Sequence, residues 1–244
     1  MKNVLITGAS GGIGSAMAVA FAKEGCNIAV HCNKNRKRAQ ELAKILCESY
    51  RVNAISVSAD VSDRSSVNAM YDEIDKEFGK IDVLVNNSGI AQQKLFTEIT
   101  QDEWNIMIGV NLDGVFNCTQ EVLLRYMIKN HSGVILNVSS MWGQTGASCE
   151  VHYSAAKAGV IGLTKALAKE VGLSGIRVNC ICPGVVMTDM MKDFDEETVN
   201  QLREESALNM LGTPKDIADA AVFLCSEKAK FITGQVLGVN GGFI

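Results

Sequence analysis

Tyr153 and Lys157 stand four residues apart near the start of 151–171, a stretch with few breakers, so a helix there brings both side chains onto one face about a turn apart. A cation beside a phenol favours the phenolate. It brings a group that ordinarily titrates near pH ~10 within reach of acid–base chemistry at neutral pH. Upstream, an apolar run ends in Ser139-Ser140, where a hydroxyl could hold a carbonyl oxygen. Taken alone, a Tyr-x-x-x-Lys pair is also what a solvated helix face presents. A second cluster, Thr7-Gly8-Ala9-Ser10-Gly11-Gly12-Ile13-Gly14, follows the first apolar run and opens a helical segment. Glycines there let the backbone bend and approach a pyrophosphate, whose charge meets the free N–H groups and positive end of the helix. Gly12 and Gly14 suit the close approach, although a tight turn uses the same residues. The loop lacks the Gly-Lys-Ser/Thr ending of a nucleotide-triphosphate loop, which removes the main support for a kinase or ATPase.

These groups need a scaffold. Short apolar, branched runs occur at 3–7, 27–31, 53–59, 81–86, 134–139, 178–182 and 236–240, with helical stretches such as 13–24, 38–48, 65–78 and 151–171 between them. Strands this apolar, joined by helix-length connections, predict a doubly wound α/β fold: a predominantly parallel seven-stranded sheet with helices on both faces. Ser139-Ser140 then falls at a carboxyl edge of the sheet, where ligands collect. With two prolines, Pro183 and Pro214, and no Ser/Gly/Pro-rich linker, residues 1–244 read as one domain.

Composition excludes several classes. A formal charge of −4 gives no general attraction to nucleic acid or an anionic membrane. No run approaches the roughly 20 apolar residues of a bilayer span, and no signal segment is seen, so a cytoplasmic location is expected. The eight cysteines fall largely in apolar runs such as Val178-Asn179-Cys180-Ile181-Cys182 and read as reduced core residues. His31, His131 and His152 are scattered and Cys180/Cys182 lack a matching pair, so no metal site is expected.

The ordered set Thr7-Gly8 with Gly12 and Gly14, Asp60-Val61, Asn86-Asn87-Ser88-Gly89, Asn111, Ser140, Tyr153, Lys157 and Pro183-Gly184 resembles the short-chain dehydrogenase/reductase family along the whole chain. The resemblance implies that Ser140 positions the substrate oxygen and that Tyr153 exchanges a proton with it. It further implies that Lys157 lowers the tyrosine pKa and binds the nicotinamide ribose, and that Asn111 supports a water relay. Ser140 is chosen over Ser139 by the family's spacing to the tyrosine, with Ser139 as the fallback. The implied dinucleotide contacts are Gly8, Ser10, Gly11, Gly12, Ile13 and Gly14 in the loop, Asn33 and Lys34 after the second strand, and Asp60 and Val61 at adenine. Asn87, Ser88 and Gly89 lie along the cofactor, with Tyr153, Lys157, Pro183, Gly184, Val186 and Thr188 toward the nicotinamide. Ser88 stands where the family usually has Ala.

Two further choices follow from particular segments. Residues 31–38, His-Cys-Asn-Lys-Asn-Arg-Lys-Arg, carry four basic side chains and no acid, favouring NADP(H) over NAD(H); a solvated helix start is the plainer account. Against NADP, Gly11 lies where many NADP-using relatives carry Arg or Lys. The stretches 183–190, 211–218 and 232–242 resemble bacterial 3-oxoacyl-[acyl-carrier-protein] reductases, which implies NADPH-dependent reduction of a 3-oxoacyl thioester in fatty-acid synthesis, with acyl carrier protein as a partner. Members that dock this acidic carrier tend to have Arg where His131 and Ser174 stand; Arg125, Lys129 and Arg177 are nearby candidates to compensate. The alternatives are reduction or oxidation of a free carbonyl or alcohol such as a steroid or sugar, and a non-catalytic dinucleotide-binding protein. Residues 188–210, with Met190, Met191, Phe194, Leu202, Leu208 and Met210, match the family's lid over the substrate, or ordinary helix packing. Ala155, Ala156, Ala158, Gly159 and Gly162 would permit close helix approach, either across the interface of the homotetramer usual in the family or against the chain's own sheet.

Overall fold

The computed structural model describes residues 1–188 and 195–244. The branched apolar runs become strands β1 (Asn3–Ile6), β2 (Asn27–Cys32), β3 (Ala54–Ser58), β4 (Val83–Asn86), β5 (Gly133–Val138), β6 (Ile176–Pro183) and β7 (Val236–Val239). They form one parallel sheet in the order β3-β2-β1-β4-β5-β6-β7. Successive side chains point to opposite faces. Thus Val4 and Ile6 pack with Met17, Phe21, Leu46 and Ile217, whereas Leu5 packs on the other side with Tyr71, Ile74 and Val122. A sheet covered twice must be apolar on both faces, which is why the central strands β1 and β4 lack the polar alternation of a half-exposed sheet, while edge strand β3, Ala-Ile-Ser-Val-Ser, keeps it.

One face is covered by α1 (Gly12–Lys23), α2 (Arg36–Tyr50) and α10 (Pro214–Cys225); α3 (Arg64–Phe78), α5 (Gly114–Val122) and α8 (Val151–Val171) cover the other. Two more helices reach the cleft, α7 (Trp142–Thr145) through Trp142 and α9 (Glu196–Glu204) through Leu202, and α4 (Gln101–Ile108) and the short α6 (Ile128–Asn130) complete the set. Of the connection between β4 and β5, residues 101–130 form a helical rod interrupted by two π turns, Gly109–Asp113 and Leu123–Met127. Strand order reverses at β1 and β4: the chain builds outward to β3, then returns to the other side of β1. This switch point opens a crevice at the carboxyl ends of the strands, where the loops after β1, β4, β5 and β6 meet.

All eight cysteines are free thiols, and five are buried. Among the described residues no helix is long and apolar enough to cross a membrane. Of the expected lid, Met190, Met191 and Phe194 lie outside the described residues, and Leu202 lines the cleft from α9.

Candidate active site

The turn after β1 is sewn to the turn after β4. Thr7 Oγ1 accepts from the amides of Asn87 and Ser88, each at 2.9 Å, and Asn87 Nδ2 donates to the carbonyls of Thr7 at 2.9 Å and Gly8 at 3.3 Å. Gly8 sits at φ +65°, and its carbonyl accepts from the Gly11 amide at 3.1 Å. A Cβ on Gly14 would lie 2.4 Å from that carbonyl, so nothing larger than glycine fits. Gly11 begins α1 without a side-chain cap, and the helix has no acid in its first turn. An uncapped helix start with bare backbone is the donor set a pyrophosphate needs, so the dinucleotide fits the residues present. Ser10, Gly12 and Ile13 are half-buried beside it, and Thr188 reaches Gly12 from the loop after β6.

At the β2/β3 edge, Asp60 Oδ1 accepts from the Ser62 hydroxyl at 2.6 Å and its amide at 2.9 Å, and the carboxylate also bonds the Asn33 side chain; these bonds hold the carboxyl below its ordinary range. Val61 packs against Gly114, where a Cβ would come within 2.6 Å. Lys34, Arg36, Lys37 and Arg38 are exposed, and Asn35 caps α2 through the Arg38 amide at 3.2 Å. The segment is therefore a helix start that also borders the Asn33–Asp60 corner.

At the other end of the crevice is a cleft of about 460 Å³ lined by Ser140, Tyr153, Lys157, Asn87, Gly89, Pro183, Gly184, Val186 and Thr188. β5 and α8 set its chemistry. Lys157 is buried in α8, its Nζ donates to the Val138 carbonyl at 3.0 Å, and burial pushes its pKa down to about 8. Nζ lies 5.7 Å from the centre of the Tyr153 ring. Tyr153 and Ser140 share a hydrogen bond; burial nonetheless raises the phenol above its ordinary value. The lowering expected from Lys157 is thus not found in this state: the ammonium faces a carbonyl of β5 rather than the phenol oxygen, and desolvation dominates.

The two serines separate clearly. Ser139 Oγ donates to the Lys157 carbonyl at 2.8 Å and so ties α8 to the sheet, whereas Ser140 faces Tyr153 and accepts from the Trp142 amide at 3.2 Å. Asn111 lies fully buried in the first π turn; its Nδ2 donates to the carbonyls of Met107 and Ile90, both at 3.0 Å, and its Oδ1 accepts from the Ile90 amide at 3.3 Å. A Cβ on Gly89 would meet Asn111 Oδ1 at 2.8 Å and Lys157 Nζ at 3.3 Å, so glycine lets the β4 loop pass between them.

The cleft also has walls that residue spacing did not reveal: Gln92, Gln93, Trp142 and Glu150. Trp142 packs edge-on against Phe243 at 5.9 Å, and Glu150 is held above the ordinary carboxylate range by burial while accepting from Gln93 at 3.4 Å. These are ordinary polar and aromatic residues, Gln92 and Gln93 on the loop after β4, Trp142 at the start of α7 and Glu150 just before α8. Only the convergence of these segments gives them a common role.

A switch-point crevice with a glycine cradle at one end and a hydroxyl-lined cleft at the other defines the class of a dinucleotide-dependent oxidoreductase. Comparison with known proteins narrows this. The family described as enoyl-(acyl carrier protein) reductase matches residues 8–244. The 3-oxoacyl-[acyl-carrier-protein] reductase FabG of Staphylococcus aureus is 41% identical over 241 residues, covering 99% of this chain and 97% of that protein. The Chlamydia trachomatis protein of the same name is 41% identical, covering 99% and 96%. An uncharacterized oxidoreductase of Bacillus subtilis, YmfI, is 43% identical over 242 residues, covering 99% and 98%. The chain belongs to the short-chain dehydrogenase/reductase family.

Proposed function

We propose that this oxidoreductase uses NADPH to reduce a 3-oxoacyl thioester of the acyl-carrier-protein type to the 3-hydroxyacyl product in fatty-acid synthesis. The near-complete coverage of the 3-oxoacyl reductases at 41% identity supports the substrate class. The observation that carries the chemistry is the Ser140–Tyr153 hydroxyl pair, with buried Lys157 beside it, facing a cleft continuous with the glycine cradle. NADPH, when bound, supplies the hydride to the 3-carbonyl carbon. Ser140 donates to the carbonyl oxygen and orients it. Tyr153 transfers its phenol proton to that oxygen as negative charge develops there. Lys157 holds the ribose and, as its ammonium, stabilises the phenolate left behind. Asn111 fixes the loop at Ile90 and supports a water relay, through which a solvent proton reaches Lys157 as its ammonium hands one on to the Tyr153 phenolate. The four basic side chains of 34–38 favour the cofactor's 2′-phosphate.

A second reading has a specific observation in its favour. Arg125 is bound to Asp72, Asp75 and Glu121, and Arg177 donates to the carbonyls of Leu224, Ser226 and Ile232. Two of the three cations nominated to replace the missing carrier-docking arginines are therefore committed within the fold. This favours a substrate that needs no docked carrier, such as a coenzyme A thioester or a free carbonyl compound. Assembly as a homotetramer is supported by the outward position of Ala155, Ala158 and Gly162 on α8 and by exposed Ile106 on α4, Phe116 on α5 and Leu124 in the second π turn.

The test is a panel of carrier-protein thioesters, coenzyme A thioesters, steroids and sugars with NADPH. Turnover confined to steroids or sugars excludes the thioester assignment. In Tyr153→Phe, turnover should fall by a factor on the order of 10² or more while NADPH binding is retained; unchanged turnover would refute the proton-transfer role.

A further inference from the structure

His31 lies in β2, is 1% exposed, and takes no part in the cleft's chemistry. Both ring nitrogens are nevertheless engaged. The Gly8 amide donates to Nδ1 at 2.9 Å, and Nε2 lies 3.1 Å from the Ala59 carbonyl. An amide only donates and a carbonyl only accepts, so Nδ1 must carry the lone pair and Nε2 the proton. Burial favours the same neutral ring, and Asp60 is the charged group that acts on it. The backbone carbonyl of His31 also accepts from the Ala9 amide at 2.8 Å.

One residue thus fixes two successive amides of the phosphate loop, those of Gly8 and Ala9, and, through Ala59, the start of the Asp60 corner. Gly8 passes that constraint on. It stands at φ +65°, its carbonyl receives the Gly11 amide at 3.1 Å, and the same carbonyl closes against Gly14. A rotation of the peptide between Thr7 and Gly8 would reorient the amides at the start of α1, which must converge on the pyrophosphate.

We propose that His31 is a positioning residue for the dinucleotide: its Nδ1 lone pair sets the Gly8 amide, so that cofactor affinity rather than turnover depends on it. The inference rests on the dinucleotide occupying the glycine cradle. It differs from a plain core role in its dependence on one ring nitrogen. His31→Asn keeps an acceptor near the place of Nδ1 but cannot reach Ala59. His31→Gln reaches toward Ala59 but leaves the Gly8 amide unpaired, and His31→Leu supplies neither bond.

The experiment measures dissociation constants for NADPH and NADH by calorimetry on wild type and the three variants, together with kcat at saturating dinucleotide and the thermal midpoint. The expected result is near-wild-type affinity in His31→Asn and a loss of about tenfold or more in His31→Gln, the size expected if the binding-competent loop geometry falls to about a tenth of the free population, with kcat within about twofold throughout. Equal weakening in the Asn and Gln variants, or affinities that follow the thermal midpoints, overturns the proposal; the Asn/Gln pair decides it even where the Leu variant does not fold. A wild-type protein that binds neither dinucleotide overturns the cradle assignment as well.

Discussion

Single residues decide selectivity and proton chemistry. Gly11 is exposed at φ −89°, and a Cβ there would meet only the Gly8 carbonyl at 3.5 Å, an ordinary contact. Gly11→Arg is therefore expected to fold normally and to tighten NADPH binding by about tenfold, leaving NADH little changed, because a guanidinium reads the 2′-phosphate that NADH lacks. Titration against both cofactors checks this, and equal changes would speak against the proposed NADP corner. Lys157 carries a pH signature of a definite sign. Its pKa falls from an ordinary 10.5 to about 8 on burial, so between those values the unfolded chain holds more protons at this group than the folded one. Its contribution to stability must rise with pH across that window. Below about 8 both states are charged and the full burial cost remains. Lys157→Met should thus lose an increment of pH dependence of up to roughly 3 kcal/mol between the two values, measured by urea unfolding. Parallel curves for mutant and wild type would show that the ammonium is not desolvated.

Elements set the distances between those residues. Asn86 and Asn137 face each other in register on β4 and β5, deep in strands that are otherwise apolar. Asn86 Nδ2 donates to Thr119 Oγ1 and to Asn137 Oδ1, both at 2.9 Å, and Asn137 Nδ2 donates to Thr164 Oγ1 of α8 at 2.9 Å. This buried chain, with the Ser139–Lys157 and Lys157–Val138 bonds, fixes the catalytic helix to the strand that carries Ser140. Asn137→Leu breaks it at its centre and leaves Asn86 Nδ2 and Thr164 Oγ1 each with one buried partner fewer, Thr119 and the Val160 carbonyl remaining. The expected outcome is a loss of about 2 kcal/mol in unfolding free energy and a fall in kcat with the NADPH dissociation constant nearly unchanged. Loss of stability without loss of kcat would mean that α8 keeps its position by packing alone. The first π turn does comparable work for Asn111: it widens the helix where that side chain turns back to Met107 and across to Ile90.

At the scale of the whole molecule, charge rather than shape bears on the partner. The net charge is −4, while Arg125 and Arg177 are engaged internally; Lys129 remains exposed. An acidic carrier protein would therefore meet little complementary field from this region. With a carrier-protein thioester as substrate, kcat/KM is expected to change by less than about threefold over a wide range of added salt, since steering by a basic patch is what salt screens. A steep fall with salt would instead reveal a docking surface built from other cations. The wider groove between α1, α2 and α10, about 840 Å³, meets the cofactor crevice at Gly12 and Thr188, and its rim mixes Lys23, Arg38 and Lys215 with Glu24 and Asp219.

Much was legible in the residues themselves. Seven branched runs with helix-length spacers gave the parallel sheet because burial on both faces requires continuous apolar strands. The glycine turn was readable because close backbone approach leaves room for no other residue at Gly14. Tyr153 and Lys157 shared a face by helical period alone. The residues alone left Ser139 and Ser140 open, since adjacent serines differ only in the side of the strand end on which they fall; the family's spacing to the tyrosine selects Ser140, and it is Ser140 that meets Tyr153 while Ser139 braces α8. Nearness in sequence made Arg125, Lys129 and Arg177 candidates to meet a carrier, but whether they are available is a matter of geometry: carboxylates and carbonyls distant in the chain engage Arg125 and Arg177. The direction of the Tyr153 pKa shift belongs to the same category: spacing brings a cation near, but only packing sets where that cation points and how much water the phenol loses.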